Sequence, residues 1–160
     1  MRGQVAESNR RQKELQETTQ RYAAELGQQR VQEKEREAAM IHASNAKHWM
    51  LAFYMYSTEN HGRFPATFDQ ATPFLHAESD AAALMKATND FEIFPIEDRN
   101  TIDRGKTIVL RGRARPLASG AWQRAYGMAD GSAQIVGAPD GDFTAAEARF
   151  GFVYPPKSGQ

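Results

Sequence analysis

The chain contains no cysteine among its 160 residues. Disulfide frameworks, thiolate nucleophiles and cysteine-based zinc sites are therefore excluded, although a protein without thiols tolerates either redox compartment. Long apolar runs are missing too, because the longest, Trp49 to Tyr56, has eight residues. A helix needs roughly 20 apolar residues to span a bilayer. The sequence therefore predicts no membrane segment.

An excess of charge of one sign is also lacking. Lys and Arg total 20, and Asp and Glu total 20. Such a balance creates no global field toward nucleic acid or anionic lipid, so no nucleic-acid partner is expected. Residues 1–7 lack the apolar stretch of a secretory signal. We expect a cytoplasmic protein, or a cell-envelope protein if an upstream anchor precedes this sequence, and the residues leave both open.

The first 37 residues have no proline and few strongly apolar positions. They hold 15 charged residues of mixed sign among the Glu, Gln, Arg, Lys and Ala residues that favour helix. Leu15, Tyr22 and Leu26 fit a heptad seam, whereas Val31 falls out of register. We predict a charged helical extension over residues 1–37, which acts as a stalk or binds protein partners, including a second copy of itself.

Apolar residues concentrate after Ala38, at spacings of three and four that place them on one helix face. This face comprises Ile41, Asn45, Trp49, Ala52, Phe53 and Tyr56. Gly62 and Pro65 supply a stop, so one helix is expected from about residue 4 to residue 59, roughly 80 Å long at 1.5 Å per residue. The residues predicted to form the core or an interaction surface are Trp49, Phe53, Tyr56, Phe64, Trp122 and Tyr126.

Shorter helical signals follow, and then strand signals. A capping box at Thr67–Gln70 opens a short helix, and Ser79 or Asp80 caps another. Strand patterns cover residues 91–94, 106–111, 122–128 and 132–136, with the hairpin signal Asp130-Gly131 between the last two. We predict an α+β fold in which a long N-terminal α-helix packs on a small antiparallel β-sheet, with short helices between. The predicted domain covers residues 38–154, and residues 155–160 form a flexible tail.

Two motifs carry a family resemblance. Leu51-Ala52-Phe53-Tyr54-Met55-Tyr56, followed by Asn60-His61-Gly62-Arg63-Phe64-Pro65, resembles the helix end of the type IV pilin and pseudopilin-like proteins abundant in Verrucomicrobia and Planctomycetes. Tyr126-Gly127-Met128-Ala129-Asp130-Gly131-Ser132 is similar to their terminal hairpin. The resemblance implies a pilin-like fold and a non-catalytic structural or protein-interaction role in a type II secretion-like setting.

One departure from that family bears on function. Its members begin with a prepilin-peptidase site and an apolar half-helix that packs the fibre, whereas residues 1–37 are charged throughout. This chain is therefore not expected to enter a pilus-like fibre by that route. A second setting stays open, because related modules are found at the carboxy-terminal ends of sigma-factor-like proteins. There the domain would be a regulatory or sensory module that binds a small ligand or peptide.

Metal chemistry has one weak candidate. Asp140, Asp142 and Glu147 loosely resemble a calcium loop, but the Gly and Glu positions of the complete pattern are absent. A turn in which Asp142 or Thr144 caps the following helix is favoured. The four histidines form no His-x-x-x-His pair, so we expect solvated or hydrogen-bonded imidazoles, with His42 among them.

The charged residues in the second half of the chain are expected to lie on a strand face and in a loop rather than in an active site. Arg111, Arg113 and Arg115 alternate along an extended segment, which is typical of a solvated strand face. The acids Glu92, Glu97, Asp98 and Asp103 are predicted to lie in a loop without partners for acid-base work. No nucleophile elbow or phosphate loop is present. We expect no enzyme activity and no cofactor.

Overall fold

The chain folds as an α+β protein, and the computed structural model describes residues 2–76 and 80–156. This confirms the predicted fold class. The helices are α1 (Arg2–Glu59), α2 (Phe68–Ala71), α3 (Ala81–Ala87) and α4 (Phe143–Phe150), with 3-10 turns at Thr72–Phe74 and Thr88–Asp90. The strands are β1 (Phe91–Ile93), β2 (Ile108–Gly112), β3 (Arg115–Pro116), β4 (Trp122–Met128) and β5 (Ala133–Ala138).

Residue contacts divide the chain into two units, Met1–Glu37 and Ala38–Gln160. The first unit is helical, and the side chains of residues 3–34 are all exposed. Ion pairs along its surface join residues four apart, as in Glu7–Arg11 and Arg10–Glu14. Each such exposed pair stabilises a helix by only about 0.3–0.5 kcal/mol.

Helix α1 ends where the sequence predicts. His61 and Gly62 both adopt the left-handed backbone conformation, with φ of 56° and 86°. The Gly62 amide donates to the Ser57 carbonyl at 2.7 Å, which satisfies a carbonyl at the helix end. The chain then leaves the helix axis, and Pro65 cannot continue the helix because it has no backbone N–H to donate.

All strand pairs in the sheet are antiparallel. Strand β5 pairs with β4 over its whole length, so β2 and the short β3 share the opposite edge of β4, and β1 pairs with β2. Asp130 and Gly131 form the β4–β5 turn, with Gly131 at φ 89° and the Met128 amide bonded to the Ser132 carbonyl at 2.9 Å. Strand β2 begins two residues later than predicted because the backbone around Thr107 pairs instead with Val153.

Helical layers cover both faces of the sheet in the second unit. The α1 residues from His42 onward pack closely on one face, where glycines leave room for the helix. A Cβ on Gly127 would lie 2.5 Å from Met50 Cγ, and a Cβ on Gly112 would lie 2.5 Å from His42 Nε2. On the opposite face, Ala146 of α4 packs in a cluster with Tyr126.

The short helices close the aromatic end of α1. The ring of Phe68 lies 4.7 Å from that of Trp49, and the Trp49 indole donates to the Leu84 carbonyl at 3.3 Å. Gln70 accepts from the Ala66 amide, one residue before the N-cap, and Thr67 makes no side-chain cap bond, so the structure does not show the predicted capping box. Asp80 caps α3 through the Ala83 amide, and Ser79, the other predicted cap, lies outside the described residues.

Candidate functional site

Most of the aromatic residues singled out in the sequence lie in the interior. Trp49, Phe53 and Tyr126 have no exposed surface, and Phe64 is 4% exposed. Tyr56 is half-buried and packs edge-on against Phe74. These rings are therefore packing residues. Those of α1 and Phe64 hold α1 on the sheet and the short helices, and the ring of Tyr126 packs on the opposite face with α4.

Two predicted core positions lie elsewhere. Trp122 is 36% exposed at the start of β4, with its indole next to Gly141 rather than in the interior. Ile41 is 56% exposed, and the adjacent His42 occupies the buried position. The buried face of α1 runs through residues spaced by three and four, namely His42, Ala46, Trp49, Met50, Phe53 and Ser57. The sequence did contain this periodicity, but the polar character of His42 hid it.

The buried state of His42 differs from the expected solvated or hydrogen-bonded imidazole. The ring stacks on Phe91, and its buried Nε2 has no hydrogen-bond partner among the described residues. Burial, assisted by the nearby positive charge of Arg115 and partly offset by Asp90, lowers the pKa of His42 to about 4. The imidazole is thus neutral at pH 7 and acts as a flat packing element.

The three residues of the weak calcium candidate have separate tasks, and the favoured interpretation, a cap on the following helix, is what the structure shows for Asp142. Asp142 caps α4 by accepting from the Thr144 and Ala145 amides, and Asp140 accepts from the Asp142 amide. Glu147 is a buried residue of α4 and accepts hydrogen bonds from two tyrosines. Within the described residues, no group of three or more His, Asp or Glu side chains is arranged to hold a metal ion.

Glu147 is the centre of a buried polar network that the sequence did not indicate. Its Oε1 accepts from the hydroxyls of both Tyr126 and Tyr154 at 2.7 Å, and Arg124 Nη1 lies 3.7 Å away. Burial, and next the bond to Glu147, raise the pKa of both tyrosines. Both phenols therefore stay protonated and keep donating. The network joins β4, α4 and the segment after α4, which no local sequence pattern brings together.

Two of the three alternating arginines, Arg111 and Arg115, are paired with acids, whereas Arg113 is exposed and donates to the Asn89 carbonyl at 3.3 Å. Arg111 bonds Glu92 and the Tyr154 hydroxyl, and its guanidinium stacks over Phe94. Arg115 pairs with Asp90 at 3.0 Å. Glu92 was grouped with acids of a loop, whereas the structure places it on β1, where it forms an ion pair with Arg111. The reason is register, because Glu92 and Arg111 are directly opposite on β1 and β2.

A cleft of about 390 Å³ opens beside these pairs, and its charged lining is mixed. The charged residues that line it are Asp90, Glu92, Arg111, Arg113 and Arg124. Arg124 is held between the ring of Phe143, 4.2 Å from its guanidinium, and Glu147. Its buried Nε has no hydrogen-bond partner among the described residues. Three guanidinium groups therefore line the cleft together with two carboxylates.

The helical first unit presents apolar side chains to solvent. Val5, Leu15, Tyr22 and Leu26 are 62%, 68%, 64% and 55% exposed. These four side chains recur at the a and d positions of one heptad pattern, which we call the seam. Val31, 42% exposed, falls outside the seam as predicted from its spacing.

Comparison of the chain with protein-family models, with curated proteins and with solved structures finds no match in any of the three. In the part of the chain that the structure describes, no helix is long and apolar enough to cross a membrane. The candidate sites are the seam and the cleft lined by Arg111, Arg113 and Arg124, which we call the arginine cleft.

Proposed function

We propose that this protein is a non-catalytic interaction module, pseudopilin-like in its architecture, which acts by pairing the helix of its first unit with another helix, in the first place that of a second copy. The observation that carries this proposal is the exposed seam. Four large apolar side chains on one helix face, each more than half exposed, gain from being covered.

Helix energetics supports the same proposal. A helix without tertiary contacts is marginal in water, and most helical stability in proteins comes from packing of an apolar face. In the described part of the first unit, ion pairs such as Glu7–Arg11 lie on the helix surface, and the side chains of residues 3–34 are all exposed. A partner helix on the seam would supply the missing packing. The charged surface around the seam keeps the unpaired chain in solution.

The pseudopilin-like setting rests on the order of elements. A long helix, short helices and an antiparallel sheet closed by the Asp130-Gly131 turn follow one another as the resemblance implies. The charged first unit stands where the family has an apolar half-helix. We therefore propose a role in protein interaction rather than in a fibre, in the cell envelope or the cytoplasm.

The proposal is tested by the helicity of the full chain at rising protein concentration. Binding to the folded helix stabilises it by mass action. As the concentration of the wild type rises, its mean residue ellipticity at 222 nm should therefore become more negative and its melting temperature should increase. Leu15→Lys with Leu26→Lys should abolish this increase. Gln20→Lys with Gln28→Lys adds the same charge away from the seam and should behave as the wild type. Helicity that is independent of concentration in all three proteins would contradict the proposal.

A second candidate function is ligand or peptide binding in a regulatory module, and the arginine cleft is what favours it. Three arginines and only two acids line this cleft, and a guanidinium can bind a carboxylate through a charge-assisted hydrogen bond. We expect a short acidic peptide to shift the backbone resonances of β1 and β2 around Arg111. Arg124→Gln should weaken this binding, and Arg63→Gln, at an exposed position outside the cleft, should not. Equal binding by both variants would remove the candidate.

A further inference from the structure

We infer that two copies of this chain pair their first-unit helices in an antiparallel arrangement, with Leu15 of each copy against Leu26 of the other. This inference rests on the proposed function and adds the identity and orientation of the partner. In the heptad defined by the seam, Val5, Gln12, Thr19, Leu26 and Glu33 occupy position a. Position d is occupied by Ser8, Leu15, Tyr22, Gln29 and Arg36.

In an antiparallel pair, each a residue faces a d residue of the other helix. Setting Leu15 opposite Leu26 makes the numbers of facing residues add to 41, which also places Tyr22 opposite Thr19 and Gln12 opposite Gln29. The two central layers then pair Tyr22 with Thr19, an apolar Leu15–Leu26 layer lies on either side of them, and the layers beyond pair glutamine amides that can bond each other. Residue 5 faces residue 36, so the pairing uses only the segment that precedes Ala38.

Charge distinguishes this arrangement from a parallel one. In a parallel pair in register, Glu33 would face Glu33 at position a and Arg36 would face Arg36 at position d. Like charges placed directly opposite at seam positions are destabilising. In the antiparallel pair, Glu33 faces Ser8 and Arg36 faces Val5 instead. The antiparallel register therefore removes both repulsions.

The residues flanking the seam also complement each other in the antiparallel register. Arg11 and Glu25 both occupy position g, and g residues of antiparallel helices face each other, so Arg11 of one copy lies beside Glu25 of the second, twice by symmetry. Arg11 is bonded to Glu7 on its own helix at 2.7 Å. That exposed pair is worth only about 0.3–0.5 kcal/mol and does not prevent Arg11 from reaching Glu25. A parallel pair would gain Glu25 beside Arg30, so the flanks alone do not decide.

The absence of native cysteine allows a direct test by disulfide cross-linking of the full chain. Gln12→Cys and Gln29→Cys are prepared separately, mixed in equal amounts, reduced, dialysed and oxidised. The antiparallel register places position 12 of one copy beside position 29 of the other, and two residues at position 12 roughly 25 Å apart at 1.5 Å per residue. Cysteines whose Cα atoms are more than about 7 Å apart do not bridge without backbone movement.

We expect the disulfide-linked peptides, identified by mass spectrometry, to join position 12 to position 29, with each variant alone remaining reduced. Gln20→Cys, which lies away from the seam, serves as the control for random collision and should not cross-link. Links of 12 to 12 and 29 to 29 would show a parallel pair and overturn this inference while leaving the proposed function intact. Absence of any link above the Gln20→Cys control, together with a monomeric mass under reducing conditions, would overturn both.

Discussion

His42 of α1 stacks on Phe91 of β1, with ring centroids 4.6 Å apart and the ring planes inclined by 16°. The imidazole is 4% exposed and fills the place of an apolar residue on the helix face that meets the sheet. A protonated imidazole in that place would bury a charge beside Arg115. Folding and protonation of His42 therefore oppose each other.

This opposition predicts a specific loss of stability in acid. The pKa of His42 is about 4 in the folded chain and 6.5 in the unfolded chain, so the unfolded state binds the proton first as pH falls. The contribution is complete above pH 6.5, decreases between pH 6.5 and 4, and amounts to about 3 kcal/mol in total. Urea melts at pH 7 and pH 4 measure it. His42→Leu should lose less stability over this interval than the wild type, and His48→Gln, altered at an exposed site, should lose as much. Equal losses in all three proteins would contradict the buried neutral imidazole.

The contact between α1 and the sheet predicts a strong effect at Gly127. A Cβ there would lie 2.5 Å from Met50 Cγ and 2.9 Å from Leu110 Cβ, so Gly127→Ala forces the helix and sheet apart. We expect a loss of about 1–3 kcal/mol in the free energy of unfolding. Gly137→Ala on β5 is the control, because its new Cβ would be 3.8 Å from its nearest neighbour, a Trp122 carbonyl oxygen. Similar denaturant midpoints for both variants would show that α1 does not approach the sheet this closely.

Phe53 allows a test of the aromatic packing. The ring is fully buried and contacts Trp49 and Phe68, with centroids 6.2 Å and 5.7 Å away. Phe53→Ala removes the ring and leaves a cavity, and we expect a loss of about 3–5 kcal/mol. Met55→Ala on the same helix, at a side chain that is 49% exposed, should cost less than about 1 kcal/mol. The free energies of unfolding are measured in guanidinium melts. Equal losses for the two variants would show that the buried face of α1 is assigned wrongly.

The network around Glu147 predicts non-additive mutational effects. Tyr126→Phe removes one of the two hydroxyls that Glu147 accepts from, and Glu147→Gln removes the charge that both hydroxyls meet. Each change should destabilise the domain by about 1–3 kcal/mol, because Tyr126→Phe leaves a buried carboxylate without one donor and Glu147→Gln replaces two charge-assisted hydrogen bonds by weaker neutral ones. The double variant should lose less than the sum, with a coupling energy of about 0.5–3 kcal/mol from a double-mutant cycle. Strict additivity would mean that Tyr126 and Glu147 do not interact in solution.

Local patterns in the sequence were sufficient to predict the framework of this fold. Spacing of three and four identified the α1 face around Trp49 and Phe53, and Asp130-Gly131 identified the β4–β5 turn. The strand β3 was not predicted, because two residues that include Pro116 resemble a loop more than a strand. Local signals describe periods and turns, so they find elements more readily than the pairing of elements.

What the sequence did not predict depends on contacts between distant residues. Glu147, Tyr126 and Tyr154 come together only when α4 and the segment after it pack on the sheet. Glu92 meets Arg111 only through the register of β1 on β2. His42 was a different kind of miss, because its spacing fits the buried face and only its residue type indicated exposure. Periodicity was the better guide there, since a neutral imidazole can stack as a flat ring.

Association of two copies of the chain through the exposed seam would double the mass of the wild-type protein in solution. Sedimentation equilibrium over a range of micromolar to submillimolar concentrations should show a reversible increase from the 17.9 kDa of one chain to twice that mass. Leu15→Lys with Leu26→Lys should remain at 17.9 kDa throughout. A wild-type mass that stays at that of a single chain at the highest concentration would contradict the account.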